Sequence, residues 1–246
     1  MKRWHKVGIG FALAVFILLG LGLLALSGLQ RILYPVAPPM PAVVGEPLPD
    51  ILARLERVIQ TNAPQVSASL QPGLSTLDIS QLEKQYHVQL PEDIRAIYRW
   101  HNGSRPSTND AGTDFIPGHR FVPLAEALAE RPAVRAAVAR ATWLQRATYQ
   151  VLVGHRDSWI CLFDDGAGDG YWFDPKRKPD EGSVFYNMNE TATYVFFPSA
   201  RNLMAGVARC YQQGAFHLKA GSVPPQLEEN YELAEKIWGE FAVTKE

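Results

Sequence analysis

Apolar residues follow three different rhythms along this chain, and each rhythm predicts a different kind of element. From Val7 to Leu29 they are continuous with small residues, and no charge interrupts them. At about 1.5 Å of rise per residue this run is roughly 34 Å long as a helix, enough to cross a hydrocarbon core of about 30 Å. A retained membrane span is the expectation. A cleaved signal peptide ending near Ala25-Leu26-Ser27 competes with it, although a signal's apolar region is usually only about 7–15 residues. From residue 48 onward the spacing becomes helical: Leu48, Ile51, Leu52, Leu55, Val58 and Ile59, then Ile79, Leu82 and Tyr86, then Ile94, Ile97 and Tyr98. Leu203, Met204, Val207, Ala208 and Tyr211 repeat the pattern, as do Leu227, Tyr231, Ala234, Trp238 and Phe241. Between these stripes lie short runs rich in aromatic and branched residues: Phe115-Ile116, Phe121–Leu124, Tyr149–Val153, Ser158–Phe163, Tyr171–Phe173, Val184–Tyr186 and Tyr194–Phe197. These suit a pleated surface and read as strands.

Punctuation places the ends. Ser80 with Glu83 fits a capping box for the second helix, and Asp78 with Gln81 fits as well. Leu90-Pro91-Glu92-Asp93 starts the third, with a proline preset for the first turn and carboxylates beside the exposed amides. Asn102-Gly103 is read as its stop, because either residue tolerates the left-handed conformation. Residues 30–49 contain Pro35, Pro38, Pro39, Pro41, Pro47 and Pro49, a semi-rigid spacer. The alanine-rich stretch Ala125–Ala141 is helical in composition and broken near Pro132. The final helix is expected from Pro225 to about Phe241. The organisation expected is a basic flank (1–6), a span (7–29), a linker (30–49), a helix with its connection (50–75), a main domain (76–214) and a C-terminal helical extension (215–246).

Three stretches in order resemble one family. Leu82-Glu83, Leu90-Pro91-Glu92-Asp93-Ile94 and His101-Asn102-Gly103 look like its signature, and Asp165-Gly166-Ala167-Gly168-Asp169-Gly170 before Tyr171–Asp174 is similar to its glycine-rich turn and aromatic strand. The apolar helix after Pro198 completes the match. The family is the SUKH superfamily, which includes fungal cell-wall-assembly regulators and many bacterial toxin-immunity proteins. The resemblance covers roughly Thr76 to Gly214. With the patterning it implies an α+β fold: a mostly antiparallel sheet of about six strands, flanked by the helices at Ile79–Gly103 and Ser199–Gln213 and preceded by the single span. It makes Leu90, Pro91, Asn102, Gly103, Gly166 and Gly168 structural motif positions.

Charge narrows the function. Lys2, Arg3, Lys6 and Arg31 precede every acid, so the rest of the chain carries 20 bases against 25 acids, a balance of −5. A nucleic-acid partner needs a basic face and is not expected. The same four bases flank the apolar run with three before it and one after. This orients the N-terminus to the cytoplasm and the domain outside, in the periplasm if the host is Gram-negative. Cys161 and Cys210 read as two small buried thiols, against a disulfide that an oxidising compartment would favour. The histidines lack metal-site spacing and no enzyme motif is present, so neither a cofactor nor catalysis is expected. Asp165, Asp169 and Asp174 with Trp172 are candidates for a partner-facing patch. The competing reading of these aspartates is a turn in which they bond backbone amides. Two functions remain open: a membrane-anchored, non-enzymatic immunity protein that neutralises a toxin by direct binding, and an envelope-associated regulatory protein that binds a resident wall component.

Overall fold

The computed structural model describes residues 41–105, 114–129, 159–176, 183–187, 194–223 and 225–243. The expected span Val7–Leu29 with its basic flank, the spacer up to residue 40, the alanine-rich stretch beyond residue 129 and the run Tyr149–Val153 lie outside them. Among the described residues no helix is long and apolar enough to cross a membrane.

The helices are α1 (Leu48–Asn62), α2 (Pro64–Ser69), α3 (Thr76–Tyr86), α4 (Glu92–Trp100), α5 (Ala200–Gln213) and α6 (Tyr231–Phe241), with a further helical segment at 124–129. Among the described residues the main sheet has six strands in chain order: β3 (Asp114–Ile116), β4 (His119–Phe121), β5 (Ile160–Asp164), β6 (Gly170–Phe173), β7 (Val184–Asn187) and β8 (Tyr194–Phe197). Every neighbouring pair is antiparallel. Two small antiparallel pairs flank it, β1 (Leu70–Pro72) with β2 (His101–Ser104) and β9 (Phe216–Leu218) with β10 (Leu227–Glu229). The α+β class and the six-stranded sheet follow the sequence pattern.

Alternation along the strands makes the core. Phe115, Phe121, Phe163, Tyr171 and Phe197 turn to one face of the sheet, where the side chains of α5 and α6 meet them. Phe115 lies 6.3 Å from Tyr211 of α5, and Phe197 lies 5.4 Å from Trp238 of α6. Two tyrosines bury their rings and still pair their hydroxyls: Tyr98 donates to the Val122 carbonyl and Tyr211 to that of Phe115. Burial pushes both phenols up. Gly206 lets α6 approach α5, since a Cβ there would lie 2.7 Å from the Trp238 ring. Both cysteines are buried thiols, and burial also pushes the Cys210 thiol up.

Helix α1 is part of the core: Leu48, Ile51, Leu52, Leu55 and Ile59 are buried in the same cluster as the sheet. Each such side chain is worth about 1.5–3 kcal/mol. Three other helices differ from the sequence expectation at their ends. Helix α3 begins earlier, because Ser75 caps it and exchanges a reciprocal capping box with Asp78; Ser80 bonds back to the Thr76 carbonyl inside the helix. Helix α4 stops at Trp100 without a left-handed cap, and His101 continues directly into β2. Helix α6 starts at Tyr231, where the Asn230 side chain accepts from the Leu233 amide. The residues before it, expected to be helical, form β10, and Tyr231 faces solvent while Ile237 takes an inner position.

Candidate functional site

The motif around Leu90-Pro91 is held together by one carboxylate. Glu83, 8% exposed, accepts from the Leu90 amide at 2.6 Å and from Arg95 through both of its oxygens. The last turn of α3 is thereby tied to the first turn of α4, with Leu90 buried beneath. His87 ends α3 at φ 50°, in the left-handed region. Asn102 accepts from the Leu124 amide. Gly103, at φ 77°, lies inside β2, and a Cβ there would meet Pro123 N at 2.5 Å. The glycine is needed for a close backbone crossing, not for a helix stop.

The four residues grouped from sequence as a partner-facing patch occupy three places. Asp165 sits in the β5–β6 turn, exposed, and its Oδ1 accepts from the amides of Ala167, Gly168 and Asp169 at 2.8–3.0 Å. Gly166 (φ 76°) and Gly168 (φ 112°) complete that turn. Asp169 is half-buried at the same end of the hairpin. Trp172 points to the sheet face opposite Tyr171, partly buried and 6.4 Å from Trp159. Asp174 is 1% exposed at the far end of β6, where it accepts from the Trp159 indole and the Lys176 amide. Asp174 therefore works inside the fold, joining the starts of β5 and β7 through its own amide on Ser183.

Arg120 of β4 secures the base of the same hairpin, bonding both oxygens of Asp164 and pairing with Glu126. The hydrogen bond from Arg120 holds the Glu126 carboxyl below its usual range. Nearby, His119 bonds the Pro117 carbonyl through Nδ1 and the Tyr186 hydroxyl through Nε2. Burial, with the charges of Asp169 and Asp165, pushes the Tyr186 phenol up to about 12. Burial likewise raises the carboxyls of Asp114 and Glu229, opposed at Asp114 by the Gly118 amide and at Glu229 by Trp238. Among the described residues no group of His, Cys, Asp and Glu is arranged to hold a metal ion.

A second surface arises where α1 meets α4. A groove of about 610 Å³ is lined by Pro49, Leu52, Ala53 and Glu56 from one side and by Ala96, Arg99, Trp100 and His101 from the other. Glu56 Oε2 accepts from the Trp100 indole and bonds His101 Nε2, both at 2.9 Å, while His101 Nδ1 bonds the Gln71 carbonyl. Both ring nitrogens of His101 are thus engaged by groups of α1 and β1. The two partners of His101 are 30 and 45 residues away in the chain. Glu56 carries no signal in sequence, because its function depends on the approach of α1 to a distant helix.

The family model described as SMI1 / KNR4 family (SUKH-1) matches residues 73–205. That is more than half of the 246 residues, and the chain belongs to this family. No curated protein matches the chain.

Proposed function

We propose that this SMI1 / KNR4-family chain is a membrane-anchored, non-enzymatic binding module whose partner is a toxin that it neutralises by direct contact. The observation that carries the proposal is the family match across residues 73–205. The length of the apolar run Val7–Leu29 supports the anchor, and the basic residues before it support a domain outside the cytoplasm. Two surfaces suit contact with a protein: the exposed β5–β6 turn at Asp165, and the groove containing Trp100. Each is rigid before binding, since Asp165 is held by three amides and Trp100 by Glu56. Preorganised groups lose little entropy on association.

The test is a deletion of the gene in its native host, followed by challenge with the effector encoded beside it. Loss of resistance that is restored by the full chain, and not by a chain lacking residues 1–29, supports an anchored immunity protein. Unchanged resistance combined with altered shape or wall-stress sensitivity would transfer the chain to the envelope-regulatory reading.

A further inference from the structure

We infer that the groove between α1 and α4 is a docking site for a protein segment that presents a bulky apolar side chain beside a carboxylate. The inference rests on the binding-module reading and names the surface and the chemistry of its partner. One wall of the groove belongs to α1, which precedes the family match at residue 73, and the other to α4, which lies within it. The groove therefore joins a helix outside the matched residues to one within them.

Three features define the occupant. The lining is mostly apolar: Leu52, Ala53 and Ala96 leave space between the helices, and the half-buried Trp100 ring forms part of the wall. The volume of about 610 Å³ accommodates one or two large side chains. Trp100 is fixed, because its indole N–H is held by Glu56 and its ring lies 4.5 Å from that of His101. A rigid, half-buried aromatic in an apolar groove is the kind of residue on which interface energy concentrates.

The charge is also directional. Glu56 is satisfied at both oxygens, by Gln60 at Oε1 and by Trp100 and His101 at Oε2, so it has little capacity for a partner cation. Arg99 is different. Its Nη2 pairs with Glu92, whose side chain is 67% exposed, and its other N–H groups have no acceptor among the described residues. An ion pair this exposed contributes little, so an incoming carboxylate can share or replace Glu92. The arginine fork suits a carboxylate in bidentate geometry.

The probe is a displayed library of random peptides selected on the purified full-length chain, with enriched peptides then measured by fluorescence anisotropy. The expected consensus places an aromatic or large aliphatic residue within a few positions of Asp or Glu. Ala53→Trp, an exposed position whose new ring fills the groove, should weaken these peptides about tenfold or more. Arg99→Gln should weaken them several-fold and reduce the salt dependence of binding. Thermal melts of both variants establish that they are folded. Failure to enrich any peptide overturns the inference, as does a consensus without a carboxylate or equal binding by Ala53→Trp. A protein partner that binds Ala53→Trp as tightly as the unaltered chain would discard the groove and keep the binding module. A chain without any protein partner would discard the module itself.

Discussion

Replacing Glu83 with alanine should destabilise the domain by about 2–4 kcal/mol, although Glu83 touches no surface offered to a partner. The figure is built from two contacts. The Leu90 amide donates to Glu83 at 2.6 Å and Leu90 is 3% exposed, so water cannot readily take over the bond. A hydrogen bond to a charged group contributes about 1.5–3 kcal/mol, and a buried donor left alone incurs a similar desolvation cost. Arg95 is 31% exposed and rehydrates when its partner is removed, so its share is held to the roughly 0–1 kcal/mol of an exposed pair. Glu83→Gln keeps an acceptor for Leu90 and loses the charge, and should cost about half as much. Urea unfolding followed by tryptophan fluorescence measures both, and the alanine variant should melt about 5–15 °C lower. A Glu83→Ala midpoint equal to that of the unaltered chain would refute the argument. Equal losses for both variants would show that the charge on Arg95, and not the buried amide, carries the energy.

Three further outcomes are expected. Gly103→Ala should cost well over 3 kcal/mol or abolish folding, because a Cβ would lie 2.5 Å from Pro123 N. Gly118→Ala has a similar φ of 75° with nothing within 4 Å, so it should cost only about 1–2 kcal/mol; chemical denaturation compares the two. Asp165→Ala leaves three turn amides without their acceptor and should cost about 1–2 kcal/mol by the same measurement, while an unchanged midpoint would free Asp165 from the turn. Glu229 is raised by burial, so the folded chain binds its proton more tightly than the unfolded chain does. Stability from this group is therefore gained as pH falls from above its raised value toward the ordinary glutamate range. Glu229→Gln should remove that gain, visible as a flatter stability profile over the window; an identical slope would contradict it.

The helices and the sheet were legible because burial imposes a period on sequence. Ile94, Ile97 and Tyr98 are buried as their spacing requires, and the described aromatic runs supply adjacent antiparallel strands, although the run from Phe121 leaves its strand at once and turns helical at Leu124. The glycine-rich turn was legible in chemistry as well, since Asp165 accepts from backbone amides as a short carboxylate before glycines can. Boundaries failed where two local signals competed. Ser75–Asp78 outcompeted Ser80–Glu83 because Glu83 was needed between α3 and α4. Gly103 suggested a helix end, and its true constraint came from Pro123, twenty residues further on. The candidate surfaces were the least legible part. Asp165 and Asp174 are nine residues apart and look equivalent, yet one lies in an exposed turn and the other is buried at the opposite end of β6. The groove needed Glu56, Trp100 and His101 to meet from separate elements, a matter of packing that no local spacing records.

The central claim is that this chain acts by binding a protein. The most direct measurement is capture of the tagged full-length chain from envelopes of its native host, with identification of the co-eluting protein and titration of that protein's purified activity against the chain. The account predicts a stoichiometric partner, encoded nearby and toxic when expressed alone, whose activity falls to baseline near equimolar addition. A partner whose activity is unaffected at saturation, or a chain that elutes alone, would contradict it.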